Sequence, residues 1–326
     1  MESGRKMHVS GTVVWVSDDD FLTRSYHAVL QRDLEPAARP GLLLELAEER
    51  LSRSDLIARM LASDEFARLR TLDAAALAGL AAARRREPLR SIAAAADCDE
   101  RIIEIPWVLS RYRGDANVLD VGSAYASPSY VGALVRLGAE LLVAVDPAEM
   151  SVPSVESVTA DARTLPFPAE SFDLVLCVST LEHVGRDNRV YGLADERSTS
   201  GIGEALAELA RVLRAAGRIL LTVPCGDAED HGWFVQLPPD DWRRIFADAG
   251  YNVGGEEIYG RAADGWSLSH VLRRGTAYGA HGPGASAVLC AELARPQALS
   301  SVLRLAIDVS ALAPSRAETG RTSARC

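Results

Sequence analysis

Between residues 98 and 295, short apolar runs alternate with longer stretches whose apolar positions recur at helical spacing. The runs at 117–121, 141–145, 155–159, 172–178, 217–223, 252–259 and 286–293 predict seven strands. The run at 172–178 is apolar almost throughout, as suits a strand covered on both faces. Helical spacing covers 102–113, 128–137, 202–215 and 240–249. Strands alternating with helices predict a doubly wound α/β domain over 98–295. Residues 18–72 read instead as a small all-α domain of short helices. One stripe there is Phe21, Leu22, Tyr26, Val29 and Leu30, and another is Leu56, Ile57, Met60 and Leu61 behind a Ser52–Asp55 cap. Residues 73–97 form an Ala/Arg-rich connector, helical by propensity and broken at Pro88. Residues 1–17 form an N-terminal segment, and 296–326 hold an amphipathic stretch at 299–312 followed by a polar end expected to be disordered.

Composition narrows the classes. A hydrophobic fraction of 48% over 326 residues supports a substantial core, and no apolar run is long enough to span a bilayer. The short stretch GTVVWV meets Asp18-Asp19-Asp20 at once, so a secretory signal is not expected. Five scattered cysteines without a C-x-x-C pair fit reduced thiols in the cytoplasm, with neither a disulfide frame nor a metal site. A net charge of −10 argues against a nucleic-acid face. Lys6 is the only lysine, which removes chemistry that needs a lysine within the fold.

In an open parallel sheet, ligands sit beyond the carboxyl ends of the strands. After the first strand stand Asp120, Gly122 and Ser123, within VLDVGSAYASPSY. Alanines hold positions 124 and 126, where a G-x-G-x-G loop would place glycine, and Ser127-Pro128 opens the next helix. The second strand ends at Asp146, suited to ribose hydroxyls, which NAD and S-adenosylmethionine both carry. Asp161 follows the third strand, where a carboxylate can accept from an adenine amino group. Ser179 to His183 close the fourth. Pyrophosphate demands a glycine-lined approach, and S-adenosylmethionine has none, so alanines are tolerable at 124 and 126 if their φ is negative.

VLDVGSAYA, AVDPAE, DARTLPFPAESFDLVLCVSTLEHV and ELARVLRAAGRILLTVPCG together resemble the class I S-adenosylmethionine-dependent methyltransferases of the type 11 group, over roughly residues 100–295. The resemblance implies a seven-stranded Rossmann-like sheet with a final antiparallel strand, and S-adenosyl-L-methionine as cofactor. It places Asp120, Gly122 and Ser123 at the methionine part, Asp146 at the ribose, and Asp161 with Ala162 at the adenine, and Ser179 is a further cofactor-binding candidate. The N-terminal helices, ending in SRSDLIARMLASDEF, resemble an uncharacterised module of bacterial surface proteins and glycan-associated enzymes.

The acceptor side is less constrained. His183 is the first candidate for a general base, and a lining or helix-capping histidine is the plainer alternative. PCGDAEDHGWF offers Asp227, Glu229, Asp230 and His231, the last a second candidate base. Trp233, Phe234, Tyr259 and Trp266 could stack on a ring. STLEHVGRDNRVYG and EDHGWFVQL resemble methyltransferases found with cell-surface polysaccharide enzymes, which points to a hydroxyl of a sugar or glycan precursor. A small secondary metabolite as acceptor, and a non-catalytic interaction protein with a degenerate domain, stay open. The helical module leaves room for a homodimer or a protein contact.

Overall fold

The computed structural model describes residues 17–151, 154–193, 197–269, 276–282 and 284–295. The amphipathic stretch expected at 299–312 lies outside them. The chain divides into two compact units, residues up to 70 and residues from 71 onward.

The first unit is helical. Ser17 caps α1 (Asp18–Ser25), its Oγ accepting from the Asp20 amide at 3.1 Å, with three aspartates in the first turn. A π-helical turn, Tyr26–Leu30, follows, then α2 (Arg39–Ala47) and α3 (Arg53–Leu61). Ser52 caps α3 through the Asp55 amide at 3.1 Å. The apolar stripes close on Leu22, Leu30, Leu34, Leu46, Leu51, Leu56 and Met60, all buried. The end of the helical module and the start of the Ala-rich connector form one 22-residue helix, α4 (Asp64–Arg85). Pro88 lies three residues beyond its end, so the expected break falls just outside the helix.

The second unit continues with α5 (Arg101–Ser110), β1 (Asn117–Val121), α6 (Pro128–Leu137), β2 (Leu141–Asp146), β3 (Glu156–Thr159) and β4 (Phe172–Val178). After these come α7 (Gly201–Val212), β5 (Leu213–Pro224), β6 (Glu229–Asp230), β7 (Val235–Gln236), α8 (Pro239–Asp248), β8 (Asn252–Ala262), β9 (Gly265–Leu268) and β10 (Ala287–Ala294). The main sheet runs β3-β2-β1-β4-β5-β10-β8-β9, with β10 antiparallel to both β5 and β8. Alternate strand residues enter two cores. Leu119, Val143, Val175 and Leu221 pack with α7 and α8, while Val118, Leu174, Leu220 and Val288 pack with α5 and α6. Helices therefore cover both faces. Among the described residues, no helix is long and apolar enough to cross a membrane.

Two expectations change. The sheet has eight strands, not seven, because β9 folds back on β8 through a two-residue turn, pairing Ala262 with Gly265 and Arg261 with Trp266. Helix α7 stops at Val212 rather than 215, although Ala215 and Ala216 favour helix. The amides of Glu170 and Ser171 bond the carbonyls of Arg211 and Val212, and Leu213 pairs with Phe172. Strand pairing therefore outweighs local propensity there.

Candidate functional site

The strand order reverses between β1 and β4, and the loops leaving them part there. A cavity of about 440 Å³ opens at that point, large enough for a nucleoside-sized ligand.

Gly122 leaves β1 at φ +89°, and a Cβ there would collide with the Thr180 side chain across the gap. Neither Ala124 nor Ala126 is among the positive-φ residues, so the alanines cost the loop nothing in backbone strain. Ser127 caps α6, its Oγ accepting from the Ser129 amide at 3.2 Å. Asp120 is buried at the tip of β1 and accepts from the Tyr130 hydroxyl at 2.6 Å and from the Ser123 hydroxyl. Burial lifts its carboxyl to about 6, against the opposing pull of those two hydroxyls.

Asp146 ends β2. Its Oδ1 accepts from the Ala148 amide at 2.8 Å and its Oδ2 from the Ala124 amide at 3.0 Å, which fixes the carboxylate's plane. Burial raises its pKa, and the two amides oppose the rise. Asp161 lies at the third corner of the cavity but is already held by Arg163. The guanidinium donates through Nε at 2.9 Å and through Nη2 at 2.6 Å. Burial pushes the Asp161 carboxyl up, and Arg163 brings it below the usual carboxylate range. Ala162 lies beside it on the wall.

Beyond β4, Ser179 sits at φ +47°, a left-handed conformation that a serine adopts only when its surroundings impose it. Its amide donates to the Thr222 carbonyl at 3.1 Å and its hydroxyl to Glu182 Oε1 at 2.9 Å. His183 follows on a short 3₁₀ turn, Nδ1 lying 3.0 Å from the Trp233 carbonyl oxygen and Nε2 lying 3.9 Å from Glu182 Oε1. Burial lowers the His183 pKa to about 4, and burial raises Glu182 to about 8. At neutral pH both groups are therefore uncharged. Around the imidazole stand Trp233, Tyr191 and Phe234, with ring centroids 5.1, 5.7 and 5.8 Å away. Tyr125 stacks near Tyr191 at 4.7 Å and donates its hydroxyl to the Tyr191 carbonyl at 2.6 Å.

The cavity thus gathers Asp120, Gly122, Asp146, Asp161, Ala162, Ser179 and His183. Ser123 and His231 are not on its wall. Ser123 is buried behind Asp120, which it bonds. His231 stacks on Phe234 at 4.4 Å, and its Nε2 lies 2.9 Å from Glu229 in the β6–β7 ribbon. Of the four aromatic residues considered for stacking, Trp233 and Phe234 face the cavity, whereas Tyr259 and Trp266 are core. The sequence reading left out Glu100, Glu104 and Tyr130 on the wall. Glu104 carries a legible signal, being the only charged residue in IIEIPWVLS, a helix with no polar face to hold it.

Residues 119–221 match the family described as Methyltransferase domain. The chain carries this methyltransferase domain, and S-adenosylmethionine is its expected cofactor. No curated protein matches this methyltransferase. Among solved structures it is similar to the 1,6-didemethyltoxoflavin-N1-methyltransferase of Burkholderia thailandensis, crystallised with 1,6-didemethyltoxoflavin and S-adenosylhomocysteine. Identity is 14%, coverage 84% of this chain and 91% of that chain, and the TM-score 0.42. It is also similar to an S-adenosylmethionine-dependent methyltransferase of Methanosarcina mazei, at 13% identity, 57% and 94% coverage and TM-score 0.39. The N-methyltransferase NodS of Bradyrhizobium japonicum, in complex with S-adenosylhomocysteine, matches at 13% identity, 56% and 80% coverage and TM-score 0.35.

The cavity wall fits the methyltransferase's cofactor, S-adenosylmethionine. It presents a carboxylate at each of three corners and a glycine hinge free of side chain. No run of bare amides of the kind a pyrophosphate needs is required of the alanine-bearing loop.

Proposed function

We propose that this methyltransferase transfers a methyl group to a hydroxyl of a sugar or cell-surface glycan precursor. The observation that carries the reading is the meeting, in one cavity, of the three strand-end acids with His183 and its aromatic ring. Asp146 would grip the ribose diol, its two backbone donors leaving lone pairs on both oxygens. Gly122 and Ser179, with Asp120 behind them, would border the methionine part, and Asp161 with Ala162 the adenine.

Bound S-adenosylmethionine supplies a methyl activated by its sulfonium. This chain's residues then hold the acceptor in line and manage one proton. His183 Nδ1 lies at hydrogen-bond distance from a carbonyl, so it carries the hydrogen and leaves the Nε2 lone pair as the acceptor. A histidine with a pKa of about 4 is a weak base, and it is also always in the base form at neutral pH. Weak basicity suffices, because a hydroxyl becomes strongly acidic as its oxygen bonds to the methyl. Trp233 and Tyr191 offer rings for the apolar face of a pyranose. The four described cysteines are free and buried, which supports a reducing compartment such as the cytoplasm.

The experiment is a screen of sugar and secondary-metabolite acceptors with S-adenosylmethionine, read by product mass. O-methylated sugar supports the proposal. Turnover confined to non-sugar acceptors overturns it.

A further inference from the structure

Helix α5 is buried over nine of its ten residues, and one of the nine is a carboxyl. Glu104 lines the cavity and is fully buried; the Thr222 hydroxyl lies beside its carboxyl, and neither oxygen has a partner at full hydrogen-bond geometry. Glu182 Oε2, on the same wall, also lacks a donor. Glu100, one helical turn before Glu104, uses its Oε2 to accept from the Ala285 amide at 2.9 Å. Burial raises the Glu104 carboxyl well above its ordinary range, and the nearby Glu100 and Glu182 raise it further. Tyr278 completes this corner, its hydroxyl pushed up first by burial and then by Glu100 and Glu182. Arg101 is the nearby cation, and it is tied to Asp99 at 3.0 Å.

A buried carboxyl with idle acceptors is unfavourable unless a ligand completes it. The valences say which ligand. Ionised beside a cation, Glu104 and Glu182 Oε2 offer acceptors that only the Thr222 hydroxyl shares, and an ammonium brings three donors and no acceptor. A hydroxyl brings one donor and two lone pairs, so it would leave most of the corner unmatched. An anion would meet three carboxyls. A ring such as Tyr278 beside the acids suits a cation as well.

We propose that the Glu104–Glu182–Glu100 corner recognises a protonated primary amine on the methyl acceptor, which is then an amino sugar whose hydroxyl faces His183. The inference rests on the sugar-hydroxyl reading for the scaffold that carries the amine, not for the amine itself.

The test uses the full chain loaded with S-adenosylhomocysteine. Two matched probe pairs are titrated by calorimetry at neutral pH: D-glucosamine with D-glucose, and benzylamine with benzyl alcohol. Each amine is expected to bind at least about tenfold tighter than its hydroxyl counterpart. Glu104→Gln should cut that preference to about twofold or less while leaving the Kd of S-adenosylhomocysteine within about twofold. Its melting temperature, measured alongside, should not fall, because the variant removes a buried ionisable group without changing shape. Glu182→Gln provides a second variant with the same expected loss of preference. Discrimination in the benzylamine pair alone supports the amine corner and fails the sugar reading. The inference is overturned if neither pair discriminates, or if the preference survives Glu104→Gln. It is overturned equally if Glu104→Gln weakens S-adenosylhomocysteine by about tenfold, since the corner would then hold the cofactor's own amine.

Discussion

His183 Nδ1 lies 3.0 Å from the backbone carbonyl oxygen of Trp233, and this one contact selects the tautomer that leaves Nε2 free. His183→Ala is expected to lower kcat by about 10²–10⁴, with S-adenosylhomocysteine affinity unchanged by calorimetry. With a pKa of about 4, the imidazole should remain in its base form down to mildly acidic solution. The acid limb of the kcat profile should therefore fall well below the ordinary histidine range. A limb near pH 6.5 would remove His183 from the proposed role.

Asp146 holds its carboxylate between two amides, so its loss should leave the fold intact and remove the ribose contacts. Asp146→Ala is expected to weaken S-adenosylmethionine by about 1–3 kcal/mol, measured by calorimetry. Unchanged affinity would place the ribose elsewhere.

Gly122 combines φ +89° with Thr180 at its back. Gly122→Ala should destabilise the protein by about 1–3 kcal/mol in chemical denaturation and depress cofactor binding as well. A neutral result would mean that the β1 exit relaxes freely.

Glu182 and His183 respond to pH in opposite directions. The Glu182 carboxyl rises from 4.5 to about 8 on folding, so the native state keeps a proton that the unfolded chain releases. Its contribution is full below pH 4.5 and is lost as pH climbs through 8. His183 drops from 6.5 to about 4, so its contribution is full above 6.5 and is lost as pH falls through 4. Glu182→Gln should abolish the alkaline loss, a difference of about 2–3 kcal/mol between pH 6 and 9 relative to the parent. Thermal melts of both proteins from pH 6 to 9 read it directly.

The central strands are legible in the sequence because burial on both faces leaves an apolar run with no competing reading, as at Phe172–Val178. The carboxyl-end acids are legible for a topological reason: any doubly wound sheet places them around one crevice. Strand β9 hides because four residues carry little periodicity, and only the Asp264-Gly265 turn announces it. The end of α7 hides because pairing with Phe172 is a long-range fact. Ser123 shows the limit at the site. Spacing places it on the loop, but the hydroxyl turns inward to Asp120, which no linear pattern encodes. Glu104 was within reach, and so was the question of what an acid does inside IIEIPWVLS.

Strand β9 has a neighbour beyond the sheet. Ala94 exchanges both backbone hydrogen bonds with Trp266, at 2.7 and 3.3 Å, and the Trp266 indole donates to the Cys98 carbonyl at 2.9 Å. The alanine-rich lead-in is thus a selvedge that finishes the fabric of the catalytic half. A chain trimmed to begin at the recognisable family core would unpick that hem, leaving raw amides and a bare indole for other copies to stitch onto.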